Sequence, residues 1–471
     1  MSVNKILVTM QLDGKDVPCG VITQTLRGGH ETIGFTYDSN YPSVSGAIPL
    51  SPDNPFGLGP WFSSGMRELR AISDAMPDRW GRNLMAREEA RRARLANSTP
   101  RTLFDLDYLL GVDDVQRQGA LRFWSDGVPQ TSNNAGVPRE VDLPNLLNAS
   151  DAASQDMNID VRDLLQAGSS LGGARPKASV RDERGILHIA KFPKNSESAY
   201  EDVCAWEKVS LDIASAAGLT VPRSRLLRIA GRGVLLSSRF DRAGDLRIPY
   251  ISGLTAISGY DGAPDGPYTY LDLADFTLNN SPRPNKDLEA LWTHALVSWA
   301  IGNTDNHMRN FGFLNYGGGW ELSPTFDMNA TSTFAGGHMA TMVTDEMEGS
   351  SLEGLLDSRD YFNVSAMRAT EIIAQCNEAI EKWQNLAMRC GINSISIDSM
   401  ASRFECSIAA LSHHMKTCGY GYTSRKSISD RTVITPVNVN SGLENLVSQK
   451  CDEQRACQSR ESVIERTTHD R

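Results

Sequence analysis

The chain has 471 residues, 40% of them hydrophobic, which is enough for a globular protein of roughly two or three domains. Its 47 basic and 57 acidic residues give a net charge of −10, which excludes a protein that coats nucleic acid by charge alone. Eight cysteines without a CxxC pair indicate reduced thiols rather than a disulfide framework or a zinc site. No apolar stretch approaches the roughly 20 residues that span a bilayer, and no signal peptide is recognisable. We therefore expect a soluble, cytoplasmic protein.

The N-terminal part is predicted to be a β-rich module. Two β-prone runs surround Asp13 and Gly14, a typical hairpin turn, and TIGFTY follows as a third strand. Residues 67–96 predict a helix that is interrupted near Pro77. The Arg-rich second half of that helix fits either a solvated face or an interaction surface. GALRFW then closes the module as a further strand.

Composition divides the rest of the chain. Residues 125–160 are rich in Pro, Gly, Asn and Ser and predict a linker region. Residues 161–286 carry a glycine-rich turn, strands and one helix, whereas helices dominate residues 287–421. The tail at 422–471 has few aromatic residues, which predicts disorder. With the module at 1–124, these segments predict an α+β fold.

Two neighbouring segments could contact an anion. In GSSLGGARPKAS, glycine N–H groups could converge on a phosphate, but neither GxGxxG nor GxxxxGK[ST] is present, so an ordinary surface turn stays open. In RGILHIAKFP, strand alternation places Lys191 on the same face as Leu187 and Ile189. Such a lysine either borders a cleft or extends to water from the strand end.

Glu207 lies beside the apolar stripe of the helix EDVCAWEKVSLDIASAAG, which is predicted to stop at Gly218. From that position its carboxylate could reach a lysine on a neighbouring strand. A lysine anchored by a glutamate is well placed to hold phosphates. The alternative is an ordinary glutamate on the helix surface.

A polar cluster follows the helix DLEALWTHALVSWAIG, which has one buried face and is predicted to end at Gly302. Asp305 and Asn310 stand five residues apart, the spacing of a protein-kinase catalytic loop. There a carboxylate accepts a hydroxyl proton and an amide oxygen binds Mg²⁺. Asp327 follows a strand-like segment and is a hard oxygen ligand for the same ion. The order of these segments, more than any one of them, predicts phosphoryl transfer.

The sequence resembles the HipA-type serine/threonine kinases, the toxins of bacterial toxin–antitoxin pairs, over about residues 1–415. The resemblance rests on MPDRWGR, SSLGGARPK, HIAKFP, SSRFDR, GNTDNHMRNF and SPTFD, of which SSLGGARPK and GNTDNHMRNF are the most specific. It implies a two-lobed protein-kinase-like fold with an N-terminal β-rich subdomain and a mainly helical C-terminal lobe. It also implies ATP and Mg²⁺ as cofactors.

The resemblance implies a role for each matching residue. Asp305 would be the catalytic base, Asn310 and Asp327 would hold Mg²⁺, and Lys191 would contact the ATP phosphates with Glu207 as its supporting ion pair. The remaining nucleotide-binding positions belong to the glycine-rich stretch, the adenine-facing backbone and the catalytic-loop histidine: Gly172, Gly173, Ala174, Arg175, Pro176, Lys177, Ser238, Arg239, Phe240 and His307.

Kinases of this family also phosphorylate a serine in their own glycine-rich loop, which fits Ser170 first and Ser169 next. A phosphate there would add about −1.5 to −2 charges and repel ATP, so it would switch the enzyme off. The chain departs from related kinases in two places. Phe326-Asp327-Met328 lacks the glycine of eukaryotic kinases, so their in/out switch does not transfer. SSRFDR lacks an acidic residue found in some relatives, so only backbone contacts to adenine are expected.

Other functions stay open at this point. One is a catalytically weak kinase-fold binding module that acts as co-repressor with a DNA-binding antitoxin. Another is a metal-dependent hydrolase using Asp305 and His307, to which only His294 and His338 could add ligands, although His294 fits a buried core histidine better. A kinase for lipids or small molecules is the third.

The resemblance also implies partners. We expect a protein substrate, such as an aminoacyl-tRNA synthetase or another translation component, and a small DNA-binding antitoxin. DNA would be contacted only through the antitoxin, and no membrane is expected. The acceptor itself is not encoded in any motif of the sequence.

Overall fold

The computed structural model describes most of the chain. It covers residues 4–57, 59–63, 69–125, 127–130, 136–155, 160–166, 175–198, 201–260, 268–332, 341–343 and 351–417. The predicted disorder of residues 422–471 falls outside this part. Within the ranges covered, no helix has the length and apolar character needed to cross a membrane.

The N-terminal part is built on a sheet of six described strands in the order β4–β3–β2–β1–β5–β6. These are β1 (Asn4–Leu12), β2 (Lys15–Arg27), β3 (His30–Tyr37), β4 (Trp61–Phe62), β5 (Leu121–Ser125) and β6 (Val128–Pro129). Asp13 and Gly14 connect β1 to β2 with φ angles of 48° and 78°, which fit a tight hairpin turn. The predicted hairpin and third strand are therefore present.

Three helices accompany this sheet: α1 (Arg70–Asp74), α2 (Arg79–Leu95) and α3 (Asp105–Leu110). The predicted break near Pro77 separates α1 from α2, because proline lacks the N–H that would continue the helix. Ile72 of α1 and Leu109 of α3 pack with Val8 and Phe35 of the sheet in one core. This core belongs to the N-terminal part alone.

A second sheet follows, with four described antiparallel strands in the order β7–β8–β10–β9. Its strands and helices are α4 (Leu143–Gln155), α5 (Arg162–Gln166), β7 (Lys177–Arg181), β8 (Leu187–Lys191), α6 (Val203–Ala216), β9 (Ser224–Ile229) and β10 (Arg232–Ser238). On one face, Ala190 and Leu236 pack with Trp80 of α2 and Leu147 of α4. On the other face, Leu235 packs with Leu211 of α6. Because side chains alternate along a strand, Lys191 faces the α6 side.

Helix α4 lies inside the segment 125–160 that is predicted as a linker. Leu143, Leu146 and Leu147 recur at helical spacing and are buried. They join the core that covers the second sheet. The spacing of these leucines outweighs the polar composition around them, so this stretch packs against the sheet.

The C-terminal part is mainly helical, as predicted, and the α+β class is confirmed. Its strands are β11 (Arg242–Ala243), β12 (Leu246–Arg247), β13 (Tyr250–Ser252), β14 (Gly312–Asn315) and β15 (Trp320–Leu322). Its helices are α7 (Gly253–Ala256), α8 (Tyr270–Asn280), α9 (Pro284–Ile301), α10 (Leu352–Asp357), α11 (Ala366–Ile380), α12 (Trp383–Arg389) and α13 (Ser394–Thr417). Helix α9 is central and ends at Gly302 with φ of 69°, the left-handed cap that the sequence predicts.

A buried ion cluster connects the N-terminal part to the end of β10. Asp241 is paired with Arg239 and Arg242, and all three side chains are almost completely buried. The same carboxylate accepts a hydrogen bond of 2.8 Å from the backbone N–H of Gly119, next to β5. The ion pairs and hydrogen bonds within the cluster offset part of the desolvation penalty of burying these charges. The SSRFDR stretch therefore fixes the position of the N-terminal part against the segment after β10.

Candidate active site

The candidate site centres on Lys191 at the end of β8. Its ammonium nitrogen lies 2.5 Å from Oε1 of Glu207 on α6 and 2.7 Å from Oδ1 of Asp327 after β15. The side chains of Lys191 and Glu207 are 11% and 4% exposed, so the lysine does not extend to water. Three residues from three separate segments thus meet on the α6 face of the second sheet.

In this cluster the charges of Lys191 and Asp327 stabilise each other, whereas burial raises the pKa of Glu207. Burial would raise the pKa of Asp327, but the ammonium of Lys191, helped by Lys177 and His307, holds it well below its usual range. Burial would lower the pKa of Lys191, but the two carboxylates raise it above its usual range. Both groups are therefore charged across the physiological pH range, and a fixed cation faces a fixed anion.

Lys177 lies directly opposite Lys191 in the β7–β8 pairing. Two like charges opposite each other in a sheet are unfavourable, so each needs an anionic partner. The Lys177 ammonium lies 3.0 Å from Oδ2 of Asp78, and both side chains are buried. Asp78 also caps α2, because its Oδ1 accepts a hydrogen bond of 2.8 Å from the N–H of Gly81. The MPDRWGR stretch thereby reaches the end of the glycine-rich segment.

The predicted catalytic loop leaves α9 at Gly302 and ends in a 3₁₀ turn over Met308–Asn310. Asp305 is exposed, so its carboxylate is open to a substrate hydroxyl. The amide nitrogen of Asn310 donates a hydrogen bond of 2.7 Å to the backbone carbonyl of Asp305. This bond directs the amide oxygen of Asn310 away from the loop backbone, where it could face a cation.

In the segment expected to face adenine, two of the three backbone N–H groups already donate hydrogen bonds within the protein. The N–H groups of Ser238 and Arg239 already donate to the carbonyls of Arg223 and Leu187 at 2.8 and 3.0 Å. The N–H of Phe240 has no acceptor within the described ranges. A base could therefore receive a backbone hydrogen bond from Phe240.

The side chains of this segment point in different directions. Arg239 turns away from the site and donates to the backbone carbonyls of Gln116 and Arg117. The ring of Phe240 lies 5.4 Å from that of Phe326, the residue before Asp327. Phe240 thus lies close to the predicted metal ligand. The guanidinium of Arg239 instead binds the N-terminal part of the chain.

The side chains predicted to bind magnesium carry oxygen atoms of the type that this ion prefers. Mg²⁺ prefers carboxylate and carbonyl oxygens, which Asp327 and Asn310 supply. Asn329 donates from its amide nitrogen toward Asp327, and its buried amide oxygen has no hydrogen-bond donor among the described residues. Asp327 itself has φ of 57°, a backbone conformation that is uncommon outside glycine and recurs at functional sites.

The hydrolase alternative finds no support in the part of the chain that the structure describes. No group of three or more His, Cys, Asp or Glu there could hold a metal ion. His294 is a buried core histidine, as predicted, with its Nδ1 2.8 Å from the Tyr270 hydroxyl. His338 lies outside the described residues.

Several predicted positions also lie outside the described residues: Ser169, Ser170, Gly172, Gly173 and Ala174. The end of the same segment is described. The guanidinium of Arg175 forms an ion pair of 2.8 Å with Glu197, and the carbonyl of Pro176 accepts the N–H of Phe192 at 2.9 Å.

Sequence reasoning missed Asp78 and Asn329 at this site. Asp78 stands 99 positions before Lys177, and no local pattern joins the two. Asn329 gave a weak signal, since it stands two residues after Asp327 and shares its polar character. The large separation along the chain explains the first omission.

A cavity of about 670 Å³ lies elsewhere in the molecule. Its lining includes His188, Leu236 and Ser238. Strand alternation places these side chains on the sheet face opposite Lys191. The cavity is therefore separate from the candidate site.

Comparison with known proteins adds a family match and a fold match. Residues 169–384 match the HipA-like C-terminal domain family. The candidate kinase Y4mE of Sinorhizobium fredii is 25% identical over 342 residues, which cover 67% of this chain and 76% of Y4mE.

A solved complex of HipA, HipB and operator DNA from the Shewanella oneidensis MR-1 toxin–antitoxin system contains a similar chain. The TM-score is 0.58 at 15% identity, over 86% of this chain and 97% of that chain. The Helicobacter pylori proinflammatory kinase CtkA gives a TM-score of 0.40 at 15% identity, over 52% of this chain and 93% of CtkA. The first of these matches confirms the predicted two-lobed, kinase-like α+β fold.

Proposed function

We propose that the protein is an ATP-dependent serine/threonine protein kinase, because residues 169–384 match the HipA-like C-terminal domain family, in line with the sequence resemblance. It would transfer the γ-phosphate of ATP to a protein hydroxyl and act as the toxin of a toxin–antitoxin pair. The observation that carries the proposal is the contact of one lysine, Lys191, with both Glu207 and Asp327. Kinases use this combination to hold phosphates and a metal.

Each residue has a distinct part in the proposed reaction. Lys191, held in place by Glu207, binds the phosphates through its ammonium group. Asp305 accepts the proton of the attacking hydroxyl, because its carboxylate is exposed. Asn310 and Asp327 would hold Mg²⁺, which supplies positive charge to the β- and γ-phosphates. The N–H of Phe240 would bind the adenine edge.

The proposed partners rest on the same family match and on the similar solved structure. The similar Shewanella oneidensis chain occurs in a complex with HipB and operator DNA. We propose a small DNA-binding antitoxin for this chain too, with DNA contacted through it. The protein substrate would be an aminoacyl-tRNA synthetase or another translation component, and self-phosphorylation would occur at Ser170 or Ser169.

The test uses the full chain, γ-labelled ATP and a cell lysate. Wild type should label protein, and Asp305→Asn should lower the transfer rate about 10²–10⁴-fold while ATP affinity stays unchanged. Asp360→Asn, which removes a carboxylate whose side chain is 77% exposed, is the matched control and should transfer at the wild-type rate. If Asp305→Asn transfers phosphate like wild type, the kinase assignment fails. If that variant also stays equally toxic, the binding-module function takes its place.

A further inference from the structure

A chain of buried hydrogen bonds runs from the predicted catalytic loop into the core. The amide nitrogen of Asn306 lies 2.5 Å from the hydroxyl oxygen of Tyr270, the first residue of α8. The same hydroxyl lies 2.8 Å from Nδ1 of His294 on α9. Asn306, Tyr270 and His294 are 1%, 0% and 4% exposed. These hydrogen bonds therefore join Asn306, the neighbour of Asp305, to two helices of the core.

The donors and acceptors of these hydrogen bonds can be assigned, because an amide nitrogen can only donate. Asn306 and Ser298 both form hydrogen bonds with the Tyr270 hydroxyl; because Asn306 donates to its oxygen, the Tyr270 hydrogen is available to Nδ1 of His294, which lies 2.8 Å away. That nitrogen must be unprotonated to accept it. Burial lowers the pKa of His294 to about 3, which keeps the ring neutral at physiological pH. Ser298 lies 3.4 Å from the same nitrogen, a longer contact than that of Tyr270.

The opposite direction would leave a buried donor without an acceptor. In the observed orientation, the amide oxygen of Asn306 has no donor among the described residues. If the amide were reversed, its NH₂ group would occupy that buried position instead. Unpartnered buried N–H groups are rarer in proteins than unpartnered carbonyl oxygens. The observed orientation is therefore the less costly one.

Aromatic packing makes the same three-residue cluster rigid. The ring of Phe311 lies 5.3 Å from that of Tyr270, edge to face, and 4.9 Å from that of His294. Phe311 directly follows the 3₁₀ turn that ends at Asn310. Asn306 inside the loop segment 303–311 and Phe311 at its end thus contact the same tyrosine–histidine pair.

We infer that His294, Tyr270 and Asn306 are positioning residues that hold Asp305 and Asn310 in register for phosphate transfer. None of the three is among the residues proposed above to bind ATP or the metal ion. Tyr270 and His294 act through Asn306, which adjoins the base. The inference rests on the proposed kinase function, and it adds residues that no motif of the sequence singles out for this role.

The test compares two tyrosines that each lose one buried hydroxyl. Tyr270→Phe removes the centre of the chain, whereas Tyr41→Phe removes a hydroxyl that donates to the carbonyl of Ile48 at 3.1 Å in the N-terminal part. Tyr270→Phe should lower kcat about tenfold or more with KM for ATP changed less than about twofold. Tyr41→Phe should leave both parameters within about twofold of wild type. Equal kcat in the two variants would overturn the inference.

A second pair of variants separates positioning from packing. His294→Asn keeps an acceptor near the position of Nδ1 and should retain kcat within a few-fold, at about a third of wild type or better. His294→Leu keeps bulk but removes the acceptor and should match Tyr270→Phe. Imidazole ¹⁵N shifts of His294 should show a proton on Nε2 alone. A proton on Nδ1 would reverse the chain and overturn the inference.

Hydrogen–deuterium exchange tests the positioning role without a measurement of kinase activity. Peptides covering 303–311 should exchange faster in Tyr270→Phe than in Tyr41→Phe, because the loop has lost its anchor. If wild type transfers no phosphate, the proposed function fails, and the exchange comparison still decides the inference. If wild type is active but exchange is the same in both variants, the positioning role is wrong and the kinase proposal stands.

Discussion

The ammonium nitrogen of Lys191 lies 2.7 Å from Oδ1 of Asp327, although 136 positions separate the two residues in the chain. This ion pair connects the second sheet to the helical part. It also combines a phosphate-binding cation with a metal-binding anion in one place.

Replacing Lys191 with methionine should lower ATP affinity about 10- to 100-fold, because a charged hydrogen bond contributes about 1.5–3 kcal/mol. The variant also leaves Glu207 and Asp327 to repel the phosphates. Titration with a fluorescent ATP analogue measures the change. Lys208→Met is the matched control, since Lys208 forms an i,i+4 pair with Asp212 on α6. Equal affinity in the two variants would exclude Lys191 from the nucleotide site.

Replacing Asp327 with asparagine should abolish the gain in ATP affinity that Mg²⁺ provides. An amide is a weaker ligand for this ion than a carboxylate. ATP binding is measured with Mg²⁺ and with EDTA for wild type, Asp327→Asn and the exposed-site control Asp275→Asn. The control should keep the difference between the two conditions. A full Mg²⁺ effect in Asp327→Asn would place the metal elsewhere.

Replacing Asp78 with asparagine should lower the free energy of unfolding by about 3 kcal/mol, because it removes the carboxylate that the buried ammonium of Lys177 contacts. Asparagine remains a good N-cap, so the loss reports the ion pair rather than the helix cap. Urea denaturation measures it. Asp105→Asn breaks the more exposed pair with Arg82 and should cost less than about 1 kcal/mol. Equal costs would contradict the account of the Asp78 pair.

Acid should destabilise the protein through His294. Burial lowers the pKa of this ring from 6.5 to about 3. Between these two pH values His294 is therefore protonated in the unfolded chain but neutral in the folded protein. The free energy of unfolding therefore falls as the pH drops from about 6.5 toward 3. At pH 5 this single group should cost about 2 kcal/mol relative to pH 7.

The measurement for this prediction is urea denaturation at pH 7 and pH 5 for wild type and His294→Asn. The asparagine variant has no ring to protonate, so its loss between the two pH values should be smaller by about 2 kcal/mol. If both proteins lose the same free energy, His294 is protonated in the folded state or is exposed to solvent.

Local patterns in the sequence predicted much of the fold. The Asp13-Gly14 turn, the break near Pro77 and the cap at Gly302 depend on backbone preferences of single residues, and each occurs where the sequence indicates. Helix α4 was missed, and its stretch was predicted as a linker, because its three leucines at helical spacing lie among Pro, Asn and Ser residues. Short-range signals predict such elements only where composition does not mask them.

The site could be predicted only in part, for a physical reason. Lys191, Glu207 and Asp327 carry recognisable chemistry, and the structure brings these three side chains into contact. Asp78 acts through a partner 99 positions away, and Tyr270 acts through a buried hydroxyl. Contacts of this kind arise from tertiary packing, so no periodic pattern in the sequence predicts them.

The most direct test of the central claim is a crystal structure of the full chain with Mg²⁺ and a non-hydrolysable ATP analogue. We expect phosphates at the ammonium of Lys191, a metal ion bound by Asn310 and Asp327, and adenine at the N–H of Phe240. We also expect the carboxylate of Asp305 to face the γ-phosphate. A nucleotide in the cavity on the opposite face of the sheet, beside His188 and Ser238, would contradict the account.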